Sequence, residues 1–290
     1  MSSIPLIEVY CAGNFEVGYG HIRRCKTLAA QLEKDGVDVC IFGLSDEARF
    51  FLPKPKTFPR MADLLLFDSP FNIESRVLAA HSRGQTTVTL DWFGEVTPDV
   101  NIAVYPHAEV RGAKKVHVGF EYILIREEIL LQRRTLQSIN SNKVLVVLGG
   151  GDLLNQGHEI AHRLWIEGLE VTLVQGPFVK NVDKGEGYRV LFNPPDLPQL
   201  LACSDWVVTN GGGCLFEAMY LGKATFVLPQ TEKEEKIAQF AANRGAILGV
   251  GFDNLQAFSY AELGEVAEHA SNLVDGLGVS RVSSIIRALM

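Results

Sequence analysis

Short apolar runs alternate with amphipathic segments along almost the whole chain. In the first half, β-branched and aliphatic runs predict strands at residues 7–11, 37–42, 64–67, 86–90 and 102–105. Apolar residues at helical spacing predict helices at residues 20–34 and 73–81. Because strands and helices alternate in this order, we expect a parallel sheet that is covered by helices on both faces.

The second half repeats this alternation after a more polar segment at residues 130–141. Its pattern predicts strands at residues 143–148, 171–174, 190–192, 206–209, 224–228 and 246–250. It predicts helices at residues 155–167, 197–203, 214–221, 235–243, 260–273 and 280–289. We therefore expect two Rossmann-like domains, 1–138 and 139–290, with parallel sheets that face a central cleft. The last helix is expected to pack back on the first domain.

Composition narrows the class of protein. The 290 residues are 47% hydrophobic, carry a net charge of −7 and contain no basic block, which argues against a nucleic acid partner. The five cysteines are scattered without a CxxC pair, so reduced thiols are expected and a metal site is not. No secretory signal or bilayer-spanning run is recognisable. The expectation is a cytoplasmic protein without a membrane span, and the pattern leaves its oligomeric state open.

The stretch WVVTNGGGCLFEAMYLGKATFVLP at residues 206–229 predicts a strand, a glycine turn, a helix and a second strand. Backbone N–H groups and the positive end of a helix dipole would point outward together at this turn, which favours a phosphate group. A carboxylate in the early turns of the helix could accept hydrogen bonds from ribose hydroxyls. The alternative is a tight strand-to-helix connection without a ligand. The candidate binding residues are Asn210, Gly211, Gly212, Gly213, Cys214, Leu215 and Glu217.

Two further glycine-rich turns follow predicted strands. One includes Gly150 and Gly151, and the other includes Gly18 and Gly20 and ends at His21. A neutral imidazole at a helix N-terminus is a reasonable general base, because the helix dipole disfavours its protonated form. The alternative for His21 is a helix-capping or buried histidine.

Two carboxylates, Asp68 and Asp91, also follow predicted strands. Ligands of parallel sheets lie beyond the C-terminal strand ends, so we expect both carboxylates near His21. Arg23 and Arg24 follow on the same helical turn. One of them could pair with a phosphate, although solvated surface arginines are the default expectation.

Four stretches, read together, resemble one family. They are GYGHIRRCKTLA at residues 18–29, VGFEYILIREEI at 118–129, VVLGGGDLLN at 146–155 and TNGGGCLFEAMYLGKATFVL at 209–228. In their order and spacing they are similar to the UDP-sugar hydrolases of nonulosonic (pseudaminic) acid biosynthesis and to related spore-coat polysaccharide proteins. These proteins belong to the GT-B glycosyltransferase-like class.

The resemblance implies a GT-B-like fold and a UDP-sugar substrate, with no cofactor and no metal. Glu217 matches the family's ribose-binding glutamate. Gly211 to Gly213, with the N–H groups of Cys214 and Leu215, match its pyrophosphate cradle. His21 matches the histidine that activates water for attack at the anomeric carbon of the sugar.

One departure concerns sugar recognition. Where the family has an Asn-Gln pair facing the sugar, this chain has Lys233 and Glu234. Charged Lys and Glu cannot each donate and accept hydrogen bonds as amides do. Three hypotheses follow: a hydrolase that releases UDP from an activated amino-deoxy sugar, a GT-B glycosyltransferase with a UDP-sugar donor, and a non-catalytic nucleotide-sugar binding protein.

Overall fold

Two units make up the computed structural model, which describes residues 4–103, 113–133, 142–179 and 184–290. The first unit is Met1–Arg126 together with Gly276–Met290, and the second is Glu127–Asp275. The predicted domain boundary between residues 138 and 139 lies outside the described residues.

The first unit is built on six parallel strands. The strands are β1 (Leu6–Cys11), β2 (Asp38–Gly43), β3 (Leu64–Asp68), β4 (Thr86–Leu90), β5 (Val100–Ala103) and β6 (Lys115–Val118), in the order β2-β1-β3-β4-β5-β6. Its helices are α1 (Gly20–Lys34), α2 (Asp46–Phe51), α3 (Glu74–Ser82) and α10 (Gly278–Arg287). The chain order reverses between β1 and β3, so this pair marks the switch point of the sheet.

Burial explains why these segments form strands and helices. All five residues of β3 are buried, as expected for a central parallel strand covered on both faces. Helix α1 buries one stripe of side chains at helical spacing, namely Ile22, Cys25, Leu28, Ala29 and Leu32. This stripe fixes the rotation of α1, and it therefore fixes where the residues of its first turn point.

The last helix belongs to the first unit. Ser283 of α10 donates a hydrogen bond to Asp35 at 2.6 Å, just beyond the end of α1. At Gly278, the first residue of α10, an added Cβ would lie 2.1 Å from the carbonyl oxygen of Ile123. Glycine is therefore required there for the close approach of the two segments.

The second unit contains a second six-stranded parallel sheet. Its strands are β7 (Lys143–Val147), β8 (Glu170–Gln175), β9 (Arg189–Phe192), β10 (Trp206–Thr209), β11 (Ala224–Val227) and β12 (Gly249–Val250), in the order β12-β11-β10-β7-β8-β9. Its helices are α4 (Glu127–Gln132), α5 (Gly157–Ile166), α6 (Leu197–Cys203), α7 (Gly213–Tyr220), α8 (Glu232–Ala242) and α9 (Tyr260–Leu273). The order is that of a dinucleotide-binding sheet, with its switch point between β7 and β10.

The predicted pair of parallel α/β sheets is confirmed, and the differences are local. The strand predicted at 246–250 shortens to β12, because only its last two residues pair with β11. The pattern did not predict α2, β6 or α4. Strand β6 is largely exposed at the sheet edge, and α2 and α4 are single short helices that each bury one residue. Residues 104 and 105 of the predicted fifth strand lie outside the described residues.

Two other expectations concern cysteines and membranes. All five cysteines are free thiols, and Cys203 is exposed whereas the other four are buried. Among the described residues, no helix combines the length and the apolar character that a bilayer crossing requires.

Asp99 links the starts of β4 and β5 by polar contacts. Its carboxylate accepts hydrogen bonds from the Thr87 N–H at 2.8 Å and the Thr87 hydroxyl at 2.9 Å, and it pairs with Lys114 at 2.5 Å. Burial by itself would raise the pKa of Asp99, but these partners outweigh it and lower the pKa to about 2. The carboxylate therefore stabilises the fold above its unfolded pKa of about 3.9, and this contribution is lost as the pH falls towards 2.

Asp99→Asn should consequently lower the stability at pH 7 by about 1–2 kcal/mol, since an amide replaces a hydrogen-bonded anion. Thermal unfolding of wild type and variant between pH 7 and pH 3 measures this difference. The gap between the two melting temperatures should narrow as the pH falls, because wild-type Asp99 gains a proton at low pH. A gap of constant size would contradict the assignment.

Candidate functional site

Polar side chains gather at the C-terminal strand ends in each unit, at the point where the strand order reverses. In the first unit this point lies between β1 and β3, and in the second between β7 and β10. A crevice forms there because neighbouring connections leave the sheet towards opposite faces. The loops after these four strands contain most of the residues predicted from the sequence.

In the first unit, the loop between β1 and α1 presents His21. Its Gly18 has a φ of +74°, a left-handed conformation that favours glycine. The side chain of Tyr19, the N-cap residue of α1, makes no capping hydrogen bond. An added Cβ at Gly20, the first residue of α1, would meet nothing within 4 Å. The loop thus leaves open space beside the first turn of the helix that contains the candidate base.

His21 is held by a buried carboxylate. Its Nδ1 lies 2.6 Å from Oδ1 of Asp68, whose side chain is fully buried at the end of β3. An ionised carboxylate only accepts, so Nδ1 donates, and in the neutral imidazole the other ring nitrogen, Nε2, bears the lone pair. Nε2 has no hydrogen-bond partner among the described residues, and the His21 side chain remains 16% exposed. This is the arrangement of a histidine that can accept a proton at Nε2 while its orientation is fixed at Nδ1.

Arg24 completes the environment of Asp68. Its Nε and Nη2 donate to the two carboxylate oxygens of Asp68 at 3.0 and 2.5 Å. Burial by itself would raise the pKa of Asp68, but Arg24 and then His21 outweigh it and hold the pKa well below its usual range. The expectation of a solvated surface arginine is wrong for Arg24, because its side chain is 11% exposed and lies within this cluster. Arg23 instead lies over the ring of Tyr19, with 5.5 Å between the guanidinium carbon and the ring centre.

Asp91 is the second carboxylate that contacts Arg24. Nη1 of Arg24 donates to Oδ2 of Asp91 at 2.5 Å, and the Asp91 side chain is 1% exposed. Its backbone φ of +51° is unusual for a residue other than glycine. Asn101 holds this turn by bonding both the N–H and the carbonyl of Trp92, at 3.2 and 2.8 Å. The structure thus brings His21, Asp68 and Asp91 together, as their positions after strands predicted, with Arg24 between the two carboxylates.

In the second unit, the helix that follows β7 is already capped. Asp152 accepts hydrogen bonds from the N–H groups of Gln156 at 3.1 Å and Gly157 at 2.8 Å, at the start of α5. The N-terminus of α5 therefore has a carboxylate of its own, and an anionic ligand would compete with it. Gly150 and Gly151 lie in the loop just before this cap, after Gly149 with its φ of +70°.

Asp152→Ala should lower the melting temperature by an amount equivalent to about 1–2 kcal/mol, because two helix N–H groups lose their acceptor. Asp152→Asn keeps an acceptor oxygen and should cost less. Thermal melts of both variants beside the wild type measure the difference. Equal melting temperatures for wild type and Asp152→Ala would contradict the capping role.

The helix that follows β10 differs at its capping position. Gly212 is the capping position of α7 and has no side chain to offer. An added Cβ at Gly213 would meet nothing within 4 Å, whereas at Gly211 it would lie 2.7 Å from the Glu234 carbonyl oxygen. Gly213 thus borders open space, and Gly211 is required for packing. Of the predicted amides, that of Leu215 already donates to the Gly212 carbonyl at 3.1 Å.

Asn210, just before the three glycines, is fixed by Glu234. Nδ2 of Asn210 donates to Oε1 of Glu234 at 2.6 Å, and the Gln230 N–H donates to Oε2 at 2.8 Å. Burial raises the pKa of Glu234, although these hydrogen bonds oppose the shift. Glu234 therefore supports the glycine-rich loop, and both its carboxylate oxygens are engaged within the protein. Lys233 lies beside it in the first turn of α8 and is partly exposed.

Gln230 is a residue of this region that the sequence pattern did not single out. Its Nε2 donates to Asp152 at 3.1 Å and its Oε1 accepts from the Leu153 N–H at 2.7 Å. The side chain thus connects the loop after β11 with the loop after β7. Gln230 directly follows Pro229, which ends the predicted strand. This position could have indicated Gln230 as a site residue, because side chains at C-terminal strand ends meet at one edge of the sheet.

Glu217 and Cys214, the remaining predicted residues, lie on α7. Glu217 is 4% exposed and Cys214 is 7% exposed. The ribose-binding role of Glu217 stays a prediction. No group of three or more His, Cys, Asp or Glu side chains suited to a metal ion occurs among the residues that the structure describes.

Comparisons with known proteins place this geometry in context. No family model matches the chain. The chain is 23% identical to the spore coat polysaccharide biosynthesis protein SpsG of Bacillus subtilis strain 168, over 98% of both chains. Its structure is similar to the glycosyltransferase SsfS6 of Streptomyces sp. SF2575 in complex with thymidine diphosphate, with a TM-score of 0.63 and 15% identity over 98% of this chain and 99% of that one. It is also similar to S. aureus MnaA in complex with UDP, with a TM-score of 0.63 and 14% identity over 98% and 96%.

These similarities extend over nearly the whole chain and confirm the predicted GT-B-like α/β fold. The resemblance to spore-coat polysaccharide proteins is supported by a distant relative. None of the three proteins is named as a hydrolase or as a protein of pseudaminic acid biosynthesis.

Proposed function

We propose that this protein is a GT-B enzyme that transfers a sugar from a nucleoside diphosphate donor, UDP-sugar in the first instance, during polysaccharide biosynthesis. The observation that supports the proposal most directly is the His21–Asp68 pair at the switch point of the first sheet. It orients an imidazole whose Nε2 has no partner among the described residues. The relatives add the substrate class, since one is named for polysaccharide biosynthesis and two were solved with a pyrimidine nucleoside diphosphate.

The proposal assigns the diphosphate to the N-terminus of α7. Glycines occupy the N-cap and the first position of this helix and offer no capping side chain, whereas the start of α5 has the Asp152 carboxylate. Backbone N–H groups and the helix dipole would stabilise the charge that develops on the departing diphosphate. Glu217 is proposed to contact the ribose, in keeping with the family resemblance.

The proposal assigns proton transfer to His21. An acceptor hydroxyl would donate its proton to Nε2 while its oxygen bonds to the anomeric carbon of the sugar. The bond between that carbon and the diphosphate oxygen breaks, and the nucleoside diphosphate leaves with the electron pair. Asp68 stabilises the imidazolium that forms, because its carboxylate is hydrogen-bonded to Nδ1.

The nature of the acceptor separates the two enzymatic hypotheses. In a hydrolase, water would take the place of the acceptor hydroxyl at the same nitrogen. We favour the transferase, because one of the structural relatives is named a glycosyltransferase. The binding-only hypothesis rested on Lys233 and Glu234. It loses weight, because Glu234 supports the glycine-rich loop and its carboxylate is not free to meet a sugar.

The test is incubation of the purified protein with a panel of UDP- and dTDP-sugars, with and without a mixture of sugar and polyprenyl-phosphate acceptors. Release of nucleoside diphosphate only with an acceptor supports the transferase. Release in water alone supports the hydrolase. Tight binding without release in either case, measured by calorimetry, would leave only the binding protein and would contradict the proposal.

A further inference from the structure

A cavity of about 210 Å³ lies in the first unit, between the sheet and α3. Strands β1 and β3 contribute Tyr10 and Phe67 to its lining. Helix α3 contributes Ser75 and Arg76, and Arg83 follows directly after the end of the helix. None of these residues belongs to the candidate site described above, so the function of the cavity is a separate question.

The cavity lies on the face of the sheet that is turned away from the candidate base. Phe67 directly precedes Asp68 in β3, and Tyr10 is its partner in β1. Because side chains alternate along a strand, Tyr10 and Phe67 point to the face opposite to Asp68, which contacts His21. The rings of Phe42 and Phe67 each stack with that of Tyr10, with 5.2 and 5.3 Å between ring centres. A row of aromatic rings therefore supports the sheet side of the cavity.

Two guanidinium groups border the cavity without an acidic partner. The guanidinium carbon of Arg76 lies 5.2 Å from the centre of the Tyr10 ring. Nε of Arg83 donates to Oε1 of Gln85 at 2.9 Å, which is a neutral acceptor. Both side chains are exposed, and neither forms an ion pair with a carboxylate of the described residues. Both positive charges are therefore available to a ligand.

Glu8 is the negative group that acts on the same region. Its Oε2 accepts a hydrogen bond from the Tyr10 hydroxyl at 2.7 Å. Burial, and then Glu8, raise the pKa of Tyr10, while Arg76 and Arg83 oppose the shift. The hydroxyl therefore stays protonated and donates to Glu8. Two guanidinium groups and one carboxylate leave a local excess of positive charge, although the whole chain carries −7.

We propose that this cavity binds a phosphate monoester whose remaining part is small and apolar. A phosphate monoester carries about 1.5–2 negative charges at neutral pH and three acceptor oxygens, so it can engage both guanidinium groups. The hydroxyl of Ser75 has no hydrogen-bond partner among the described residues and can donate to a further oxygen. Tyr10 and Leu65 offer apolar surface to the rest of the ligand. This site goes beyond the proposed sugar transfer and uses none of the residues assigned to it.

The test is ligand-observed NMR of phenyl phosphate with the full-length protein, in saturating UDP so that the proposed diphosphate site is filled. Phenyl phosphate should bind saturably, and benzoate should bind more weakly because it carries a single charge. Arg76→Gln and Arg83→Gln should each weaken phenyl phosphate binding about fivefold or more, since each removes a charge-assisted contact. Glu8→Gln should strengthen it about twofold or more, because a negative charge beside the ligand is removed.

Arg49→Gln is the matched control, because it removes an exposed arginine of the same unit that already pairs with Asp46. It should leave the affinity unchanged. Ala79→Leu tests the cavity itself, since Ala79 lines it and is partly exposed. The larger side chain should abolish binding while the melting temperature stays near that of the wild type.

Three results would overturn the proposal. They are the absence of saturable binding to the wild type, the same affinity in the wild type and both arginine variants, and a weaker affinity in Glu8→Gln. Because the cavity and the proposed catalytic residues are separate, loss of phenyl phosphate binding with sugar transfer intact would contradict this proposal alone.

The source of the phosphate is either a soluble molecule or a lipid headgroup. Sedimentation with phosphatidylcholine vesicles, with and without phosphatidic acid, distinguishes the two. Phenyl phosphate binding without sedimentation assigns the cavity to a soluble ligand. Sedimentation that requires phosphatidic acid and is lost in Arg76→Gln assigns it to a lipid headgroup.

Discussion

His21→Ala should lower the rate of sugar transfer by about 10²–10⁴-fold, the usual contribution of a general base. The variant loses the ring nitrogen that is proposed to accept the proton, while the glycine-rich loop of the second unit is untouched. Nucleotide affinity should therefore stay within about twofold of the wild type. Initial rates with a UDP-sugar and an acceptor, beside calorimetric titration with UDP, measure the two quantities.

His81→Ala is the matched control for this experiment. His81 also contacts an aspartate, since its Nε2 lies 3.2 Å from Asp99, and it belongs to the same unit. Its removal should leave the rate nearly unchanged. Equal losses of turnover and of UDP binding in His21→Ala would show that the residue maintains structure and does not take part in chemistry.

Gly213→Ala and Gly211→Ala should separate ligand binding from folding at two neighbouring positions. The new methyl group at position 213 meets no protein atom within 4 Å. The fold should accept it, and it would occupy space in front of the α7 N-terminus where the diphosphate is proposed to bind. UDP affinity should fall about tenfold or more while the melting temperature stays near that of the wild type.

The methyl group at position 211 would instead lie 2.7 Å from the carbonyl oxygen and 2.9 Å from the Cα of Glu234. Backbone atoms cannot move away as a flexible side chain would, so Gly211→Ala should lose about 1–3 kcal/mol of stability. Gly264→Ala in α9, where an added Cβ would meet nothing within 4 Å, is the control for a harmless methyl group. Unchanged UDP binding in a folded Gly213→Ala variant would remove α7 as the diphosphate site.

The structure also changes the interpretation of the departure from the family at Lys233 and Glu234. From the sequence, a glutamate in place of an amide indicated altered sugar recognition. In the fold, Glu234 accepts hydrogen bonds from Asn210 and from the Gln230 backbone. It therefore connects the loops after β10 and β11, and Gln230 continues the connection to Asp152. From the sequence, this change was expected to affect the ligand directly. In the structure it instead affects the loop that surrounds the proposed site.

The two parallel sheets, and the turns at which their strands end, could be predicted from the sequence. Both follow from local causes, since buried strands need apolar runs and tight turns before helices need glycines. His21 and the loop at residues 210–213 could be singled out as candidates because their predicted chemistry depends on neighbours in sequence, namely a helix start and a glycine turn.

Which polar residues lie together became visible in the folded chain. Arg24 looked like a surface arginine, and its place between Asp68 and Asp91 depends on segments 44 and 67 residues away. The two glycine-rich loops of the second unit looked alike, and they differ because Asp152 caps α5, whereas the N-cap residue of α7, Gly212, has no side chain. Pairings of this kind are set by strand order and helix rotation, which place distant residues at one sheet edge, and no local pattern records them.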